Sequence, residues 1–408
     1  MSSNVEQGKV PEVRFKLKAA SDYLPWQKRS FYDCVEINSK LVDPTDEKYL
    51  NYPHIGPGNI EKQTGRLLEY KLVKDEELIS GKYVFKEDDI IYGKIRPELG
   101  KVAYPKFKGL CSADCYPMSS KENVILPQFL FQILLSKQFL KFSTSVSMRT
   151  GMPKINREEL GGYSFYLPSL EEQKKVGDFF SILDQKLDKQ REKILLLEKV
   201  RKGIWDQIFS KSIRFKKENG HDFPDWKSNI RTGDLFENIS DKKHDGELEV
   251  LSSTQDQGII PRSMLKMKMQ FANENLVNYK RVCPNDFVIS LRSFQGGIET
   301  SYYEGLLSPA YTIFRVKPQI RLSTDYFRFY FKTDKFISQL NNLTYGIRDG
   351  KAISYSDFSR IEIHLPSFEE QEKIAEFLTV ISKKEEIETQ KLNSLVELKK
   401  SLMQKMFV

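Results

Sequence analysis

The phrase LPSLEEQKKVGDFF begins at Leu167, and at Leu365 the chain repeats it as LPSFEEQEKIAEFL, with eight of fourteen positions identical. Shorter echoes keep the same spacing along the whole chain. VRFK at Val13–Lys16 returns as IRFK at Ile213–Lys216, and YLPWQK around Trp26 returns as DFPDWK around Trp226. EDDIIYGKIR (Glu87–Arg96) has a looser counterpart in PNDFVISLR (Pro284–Arg292), and GLCSADCY at Gly109 in GLLSPAY at Gly305. FLFQILLSKQF aligns with YFRFYFKTDKF, and RTGMPKI with RDGKAI, all at offsets between 196 and 200. A repeat of roughly 200 residues is too long for a stacking solenoid, so the chain reads as two tandem copies of one unit. A length of 408 residues likewise calls for more than one core.

Each copy has a short opening motif, a body, the LPS phrase and a long polar/apolar tail. The bodies carry strand-like alternation in DDIIYGKI, DFVISL and AYTIFRV, each followed by a helix-like segment. They diverge strongly between copies, whereas the phrase and its tail do not. The expected fold is α+β: two mixed α/β bodies in a tandem pseudo-two-fold repeat, separated by a long antiparallel two-helix coiled coil. The corresponding divisions are 1–167, 168–210, 211–364 and 365–408.

Pro168, Ser169 and Glu172 spell a helix start, repeated in Ser367 and Glu370. In a capping box the serine accepts from the amide three residues on, and the glutamate bonds back to the cap amide. Stepping alternately by four and three from Val176 reaches Phe180, Leu183, Leu187, Gln190, Ile194, Leu197, Arg201, Ile204 and Ile208, eight apolar among ten. The second tail, from Ile374 to Met406, gives seven of ten, with Glu385, Glu388 and Lys399 as its polar members. This is a coiled-coil seam. At ~1.5 Å per residue it reaches about 57 Å, longer than a body of this size is wide. The two tails therefore pair with each other, antiparallel if a two-fold axis relates the copies.

The net charge of +8 is modest, but it is unevenly placed. Residues 93–154 hold ten Lys/Arg against three Asp/Glu, and residues 258–348 hold thirteen against six, whereas 41–90 hold seven against eleven. Two separate basic segments fit two contacts with a polyanion. No apolar run approaches a membrane span, and MSSNVEQGKV lacks the apolar core of a secretory signal, so a soluble, cytoplasmic protein is expected. Cys34, Cys111, Cys115 and Cys283 fit a reducing compartment. Neither they nor His54, His221, His244 and His364 have metal-ligand spacing.

Catalytic equipment is not evident either. There is no phosphate loop, nucleophile elbow or dinucleotide fingerprint. SPAY (Ser308–Tyr311) lacks the leading Asn or Asp and the second Pro of an amino-methylation tetrapeptide, and reads as a strand end. Asp88 and Asp89 read as a turn before IIYGKI, and Trp26 and Trp226 as packing anchors.

The arrangement as a whole resembles the specificity subunit of type I restriction–modification systems. The resemblance runs from the VRFK…W opening to the last helix, and GKIRPELGKVA and RTGMPKI also resemble family segments. It implies that the two bodies are target-recognition domains, each reading one half of a split, asymmetric sequence in double-stranded DNA, with the helices as spacer. It further implies two modification (methyltransferase) subunits and two restriction (endonuclease and translocase) subunits as partners. S-adenosylmethionine, ATP and Mg belong on those partners, and no cofactor or catalytic residue on this chain. Lys94 and Arg96 follow a strand and precede a Pro/Gly-marked loop, a place for exposed basic side chains, and Arg292, Ser293 and Gln295 hold the matching place. Arg149, Lys154, Arg348 and Lys351 flank the Gly-containing loops. These nine are the candidate DNA contacts. A free-standing DNA-binding regulator and a coiled-coil adaptor are the alternatives. The regulator would bind specifically without a methyltransferase partner, and the adaptor would show no sequence preference.

Overall fold

The computed structural model describes residues 8–15, 24–147, 151–254, 258–265, 276–289, 298–342 and 353–408. It divides into two compact units, Met1–Glu192 with Gln390–Val408, and Lys193–Thr389.

The strands of the first unit are β1 (Gln27–Ser30), β2 (Val35–Ile37), β3 (Leu41–Val42), β4 (Pro53–Ile55), β5 (Lys71–Leu72), β6 (Lys82–Phe85), β7 (Ile90–Gly93), β8 (Val102–Ala103), β9 (Gly109–Cys111), β10 (Cys115–Ser120) and β11 (Ser164–Leu167). Strands β1 and β11 pair antiparallel, so the residues leading into the body lie beside those leading out. A four-stranded sheet runs β2-β10-β7-β8 and a five-stranded one β3-β6-β9-β4-β5.

The second unit has β12 (Lys227–Arg231), β13 (Phe236–Ile239), β14 (Leu251–Thr254), β15 (Gly258–Pro261), β16 (Lys280–Val282), β17 (Phe287–Ile289), β18 (Ile298–Thr300), β19 (Gly305–Leu307), β20 (Thr312–Val316) and β21 (Glu362–Leu365). Here β12 pairs with β21, and the four-stranded sheet runs β13-β20-β17-β18, the first unit's order strand for strand. Pairs β14–β15 and β16–β19 correspond to β4–β5 and β6–β9. Amide bonds from Leu306 to Glu249 O and from Arg281 to Asp241 O mark where that second sheet would continue.

Local chemistry accounts for the turns. The Asp89 carboxylate accepts from the Lys86 amide at 2.7 Å, closing the turn into β7, and Asp286 does the same with the Cys283 amide at 2.8 Å before β17. The Asp pair is thus a turn, as its sequence indicates. SPAY, read from the sequence as a strand end, instead forms the turn just past β19, closed by Tyr311 N donating to Ser308 O before β20.

Two helices follow each four-stranded sheet, Pro127–Leu135 and Lys137–Ser147 in the first unit and Thr324–Tyr330 and Asp334–Asn342 in the second. Then come the long helices, Leu170–Phe209 and Phe368–Met406. Every one of the twenty seam positions is buried or half-buried. Within the first unit, Lys399 donates to Asp184 at 2.5 Å and Phe407 lies 5.9 Å from Phe180. Within the second, Arg201 meets Glu385 at 2.7 Å and Lys193 meets Glu388 at 2.9 Å. Partner numbers fall as residue numbers rise, so the helical segments in each unit are antiparallel. The charged seam residues Arg201, Glu385, Glu388 and Lys399 all sit in charge pairs that fix this register, as coiled-coil flank charges do.

Each core closes on the end of a long helix. Phe407 packs on Trp26 and Phe129 at 6.1 and 5.4 Å, and Phe209 packs on Tyr326 and Tyr330 at 5.7 and 5.5 Å. Burial of such a ring stabilises by about 1.5–3 kcal/mol. Trp26 and Trp226 are both buried, the anchors that the sequence indicates.

The repeated phrase does more than start a helix. Ser169 and Ser367 accept from the amides of Glu172 and Glu370 at 3.4 and 3.3 Å, the near half of a capping box. The far half is not made. Glu172, 1% exposed, instead takes a forked pair of bonds from Arg14 at 2.7 and 2.8 Å. Glu370, 0% exposed, takes the same fork from Arg214 at 3.1 and 2.9 Å, and a bond from Trp226 Nε1 at 3.1 Å. Two charge-assisted bonds to a guanidinium outweigh one bond to a cap amide, especially out of water. The next residue points into the body. Gln173 Oε1 accepts from the Leu126 amide at 2.9 Å, and Gln371 Oε1 from the Ser323 amide at 3.0 Å, each the residue that begins a body helix. The Glu-Gln pair therefore clasps opening motif, long helix and body together, once per unit.

Candidate nucleic-acid interface

Of the nine candidate contacts, Arg149, Arg292, Ser293, Gln295, Arg348 and Lys351 lie outside the described residues. The other three meet. Lys94 follows β7, and its carbonyl accepts from the Ile155 amide at 3.0 Å, while Arg96 N donates to Pro153 O at 2.8 Å. An isolated bridge between Ile95 and Lys154 completes the contact. The GKIR stretch and the PKI end of the Gly-containing loop are thus adjacent strips of one surface.

Arg96 and Lys154 are exposed, but Lys94, expected to be exposed, is only 9% so. Its ammonium lies 5.1 Å from the Tyr116 ring centroid, where a cation is attracted by the ring face. Burial, and then the nearby charge of Lys154, hold the Lys94 pKa below the ordinary lysine value. Arg96 has the left-handed backbone φ 52°, ψ 61°, directly before Pro97. That conformation costs a non-glycine residue about 1–2 kcal/mol, and a following proline disfavours it further. Such strain persists where surrounding structure imposes it, and it clusters at functional sites.

One residue that the sequence did not single out completes the group. Arg157 places its guanidinium 4.9 Å from Tyr116 and 5.8 Å from Tyr83, so Tyr116 has two cations against its ring. Its Nη2 donates to Asn38 O at 3.2 Å and Tyr83 Oη at 3.4 Å, while its buried Nε has no partner among the described residues. In the sequence Arg157 opens the acidic-looking REE run, which masks its role. Among the described residues, no carboxylate makes an ion pair with Lys94, Lys154 or Arg157; Asp114 acts on Lys94 only at longer range. Two cations against tyrosine rings, with Lys154 close to Lys94 and no ion-paired carboxylate among the described residues, make a local seat for an anion.

In the second unit, cations of the basic segment are bound into the fold. Arg315 forks onto Asp286 at 2.8 Å, Lys332 meets Glu299 at 2.9 Å, and Arg281 pairs with Glu304.

The sequence matches the family described as the type I restriction modification DNA specificity domain twice, over residues 23–198 and 225–397. This chain belongs to that family. The two matched stretches correspond to the two copies of the repeat, each ending within a long helix, so each takes in a body with its Glu-Gln pair but starts after the clasp arginine, Arg14 or Arg214. Over 151 residues, 37% of this chain and 33% of the relative, the sequence is 38% identical to the type I restriction enzyme EcoDI specificity subunit of Escherichia coli. It is 27% identical over 93% of this chain and 92% of the putative type I restriction enzyme MjaX specificity subunit of Methanocaldococcus jannaschii. The crystal structure of the type I restriction–modification S subunit from M. genitalium shares the fold, with TM-score 0.60 at 14% identity over 98% of this chain and 99% of that one.

Proposed function

We propose that this chain is the DNA-specificity subunit of a type I restriction–modification complex, reading an asymmetric bipartite target with one body per half-site. The observation that carries this reading is the cation group Lys94, Lys154 and Arg157, which has no ion-paired carboxylate among the described residues, beside the strained Arg96 and set in one of two duplicated specificity domains. Recognition bodies are residues 1–167 and 211–364, and spacer segments are 168–210 and 365–408. Lysines and arginines grip phosphates and fix register, while a few Arg, Ser and Gln side chains read base edges. Arg149, Arg292, Ser293, Gln295, Arg348 and Lys351 belong to the same set of proposed contacts.

The chain does no chemistry of its own in this reading. It works in the cytoplasm and recruits two modification subunits, which hold S-adenosylmethionine, and two restriction subunits, which use ATP and Mg. Among the described residues, no helix is long and apolar enough to cross a membrane.

The test is DNA binding by the complex reconstituted with the modification subunit. Neutralising Lys94 and Arg96 together should weaken binding and reduce the steepness of its salt dependence by about one to two counterions. Unchanged binding across several salt concentrations would remove both residues from the interface. Mapping methylated sites made by the complex tests the larger reading, and a continuous symmetric target would overturn it.

A further inference from the structure

The first unit holds a cleft of about 950 Å³ between its body and its two helical segments. Its walls are Gln63–Arg66 on the β4–β5 connection, Gln132 and Lys137 on the body helices, and Lys399, Lys400 and Met403 on the second long helix. Gln132 is 2% exposed and bonds Asp184 through its amide group, yet its Oε1 has no hydrogen-bond partner among the described residues. A buried acceptor without a donor is a position that an incoming donor can satisfy.

The repeat shows what the same place looks like when filled. Phe139 N donates to Ser136 Oγ at 3.2 Å in the first unit, and Phe336 N to Thr333 Oγ1 at 3.2 Å in the second, which fixes the correspondence of the body helices. On that alignment Gln132 corresponds to Phe329 and Lys137 to Asp334, and the 198-residue offset of the repeated phrase matches Lys400 to Lys202 and Met403 to Trp205. In the second unit Trp205 packs edge-on against Phe329 at 5.6 Å, with the Arg201 guanidinium 5.1 Å from its ring. Lys202 and Asp334 close over this packing at 2.9 Å. The first unit has a thioether in place of the indole, a short amide in place of the phenyl ring, and two lysines in place of the ion pair. Lys400 makes only a loose 3.7 Å contact with Glu397 along its own helix. At these matched positions the first unit therefore has neither the indole nor the carboxylate with which the second unit fills this place, although Asp184, Asp188, Glu192 and Glu397 line other parts of the cleft.

We propose that the first unit's cleft receives a tryptophan beside an acidic residue, presented by a partner polypeptide, at one site per chain. The incoming indole N–H has Gln132 Oε1 as acceptor, its ring lies along Met403 and Phe131, and the carboxylate bridges Lys137 and Lys400. A second copy of this chain does not supply the segment. Of its three tryptophans, Trp26 and Trp226 are buried in their own cores and Trp205 fills its own unit. The proposal rests on the comparison of the two units and stands apart from the DNA reading.

The experiment titrates the full chain with three probes: acetyl-Trp-Asp-amide, acetyl-Trp-Lys-amide and N-acetyltryptophanamide. Saturation-transfer NMR reads binding and calorimetry reads stoichiometry. Acetyl-Trp-Asp-amide should bind once per chain, at least fivefold tighter than either other probe. The double variant Met403→Trp with Gln132→Phe copies the second unit's packing and should weaken that binding at least tenfold while melting no lower than wild type. Met403→Trp alone is the second variant, should the pair not fold. Equal binding to wild-type and filled chains, or none by wild type up to 10 mM probe (roughly the weak end of dipeptide affinity), would overturn the proposal. N-acetyltryptophanamide binding as tightly as the dipeptide would also overturn it, and would point to a small aromatic molecule instead.

Discussion

Between β4 and β5 the first unit carries residues 56–70, whereas only residues 255–257 separate β14 from β15 in the second. Around that difference the topology stays constant: both four-stranded sheets have the same order, both opening strands pair with the strand before the phrase, and both long helices carry the same clasp. Even a local packing contact is conserved with its parts exchanged. Gly161 leaves room for the Tyr32 ring in the first unit, and Gly233 leaves room for Ser359 in the second. A duplicated fold can thus vary a connection by a dozen residues while retaining the buried charges that join body to helix. Long surface insertions add little closure entropy, whereas a buried carboxylate without its partner is costly.

Breaking the clasp is the severest test of that equivalence. Arg14→Ala and Arg214→Ala should each destabilise by about 3–5 kcal/mol, since each leaves a buried glutamate uncompensated. The second change should be milder, because Trp226 still donates to Glu370 whereas Trp26 Nε1 has no partner among the described residues. Urea unfolding of the full chain measures both, and a negligible effect in either unit would break the comparison.

The helix register is a smaller effect. Arg201→Glu places two half-buried acids together in the second unit and should cost about 1–2 kcal/mol, most of it recovered on adding Glu385→Arg. Failure of the second change to rescue the first, in thermal melts, would refute the antiparallel pairing drawn from this contact.

The smallest shift should have the opposite sign. Lys94→Met removes a desolvated ammonium and should stabilise the chain by about 1 kcal/mol at neutral pH while weakening DNA binding. The lysine's folded-state pKa is depressed, so its penalty is constant below that pKa and fades as pH rises through it toward the ordinary lysine value. The advantage of the variant over wild type should shrink over that alkaline window. An advantage independent of pH would mean that packing, not charge, produced it.

Much of this architecture was legible in the sequence because it is periodic or repeated. The seam positions, the strands at β7, β17 and β20, the turn at Asp89 and the tryptophan anchors all follow from short-range pattern. What escaped has partners far away along the chain. Glu172 reads as a capping residue because its local pattern is complete, while its partner Arg14 lies 158 residues away. Lys94 sits in a stretch that reads as exposed, and only the approach of Tyr116 and the 153–155 strip buries it. Arg157 was hidden by its acidic neighbours, although it lies within the same anion seat.

The first unit is completed by residues 390–408, which supply Phe407 to its core and Lys399 to Asp184. The second unit is one uninterrupted stretch, 193–389. On a ribosome, where domains ordinarily fold in order of emergence, this chain reverses the sequence: the unit translated second has all its residues first. The unit translated first waits, with Trp26, Phe129 and Phe180 uncovered, until the closing helix arrives. A transcript cut short before residue 390 would therefore leave the earlier half, not the later one, without its lid.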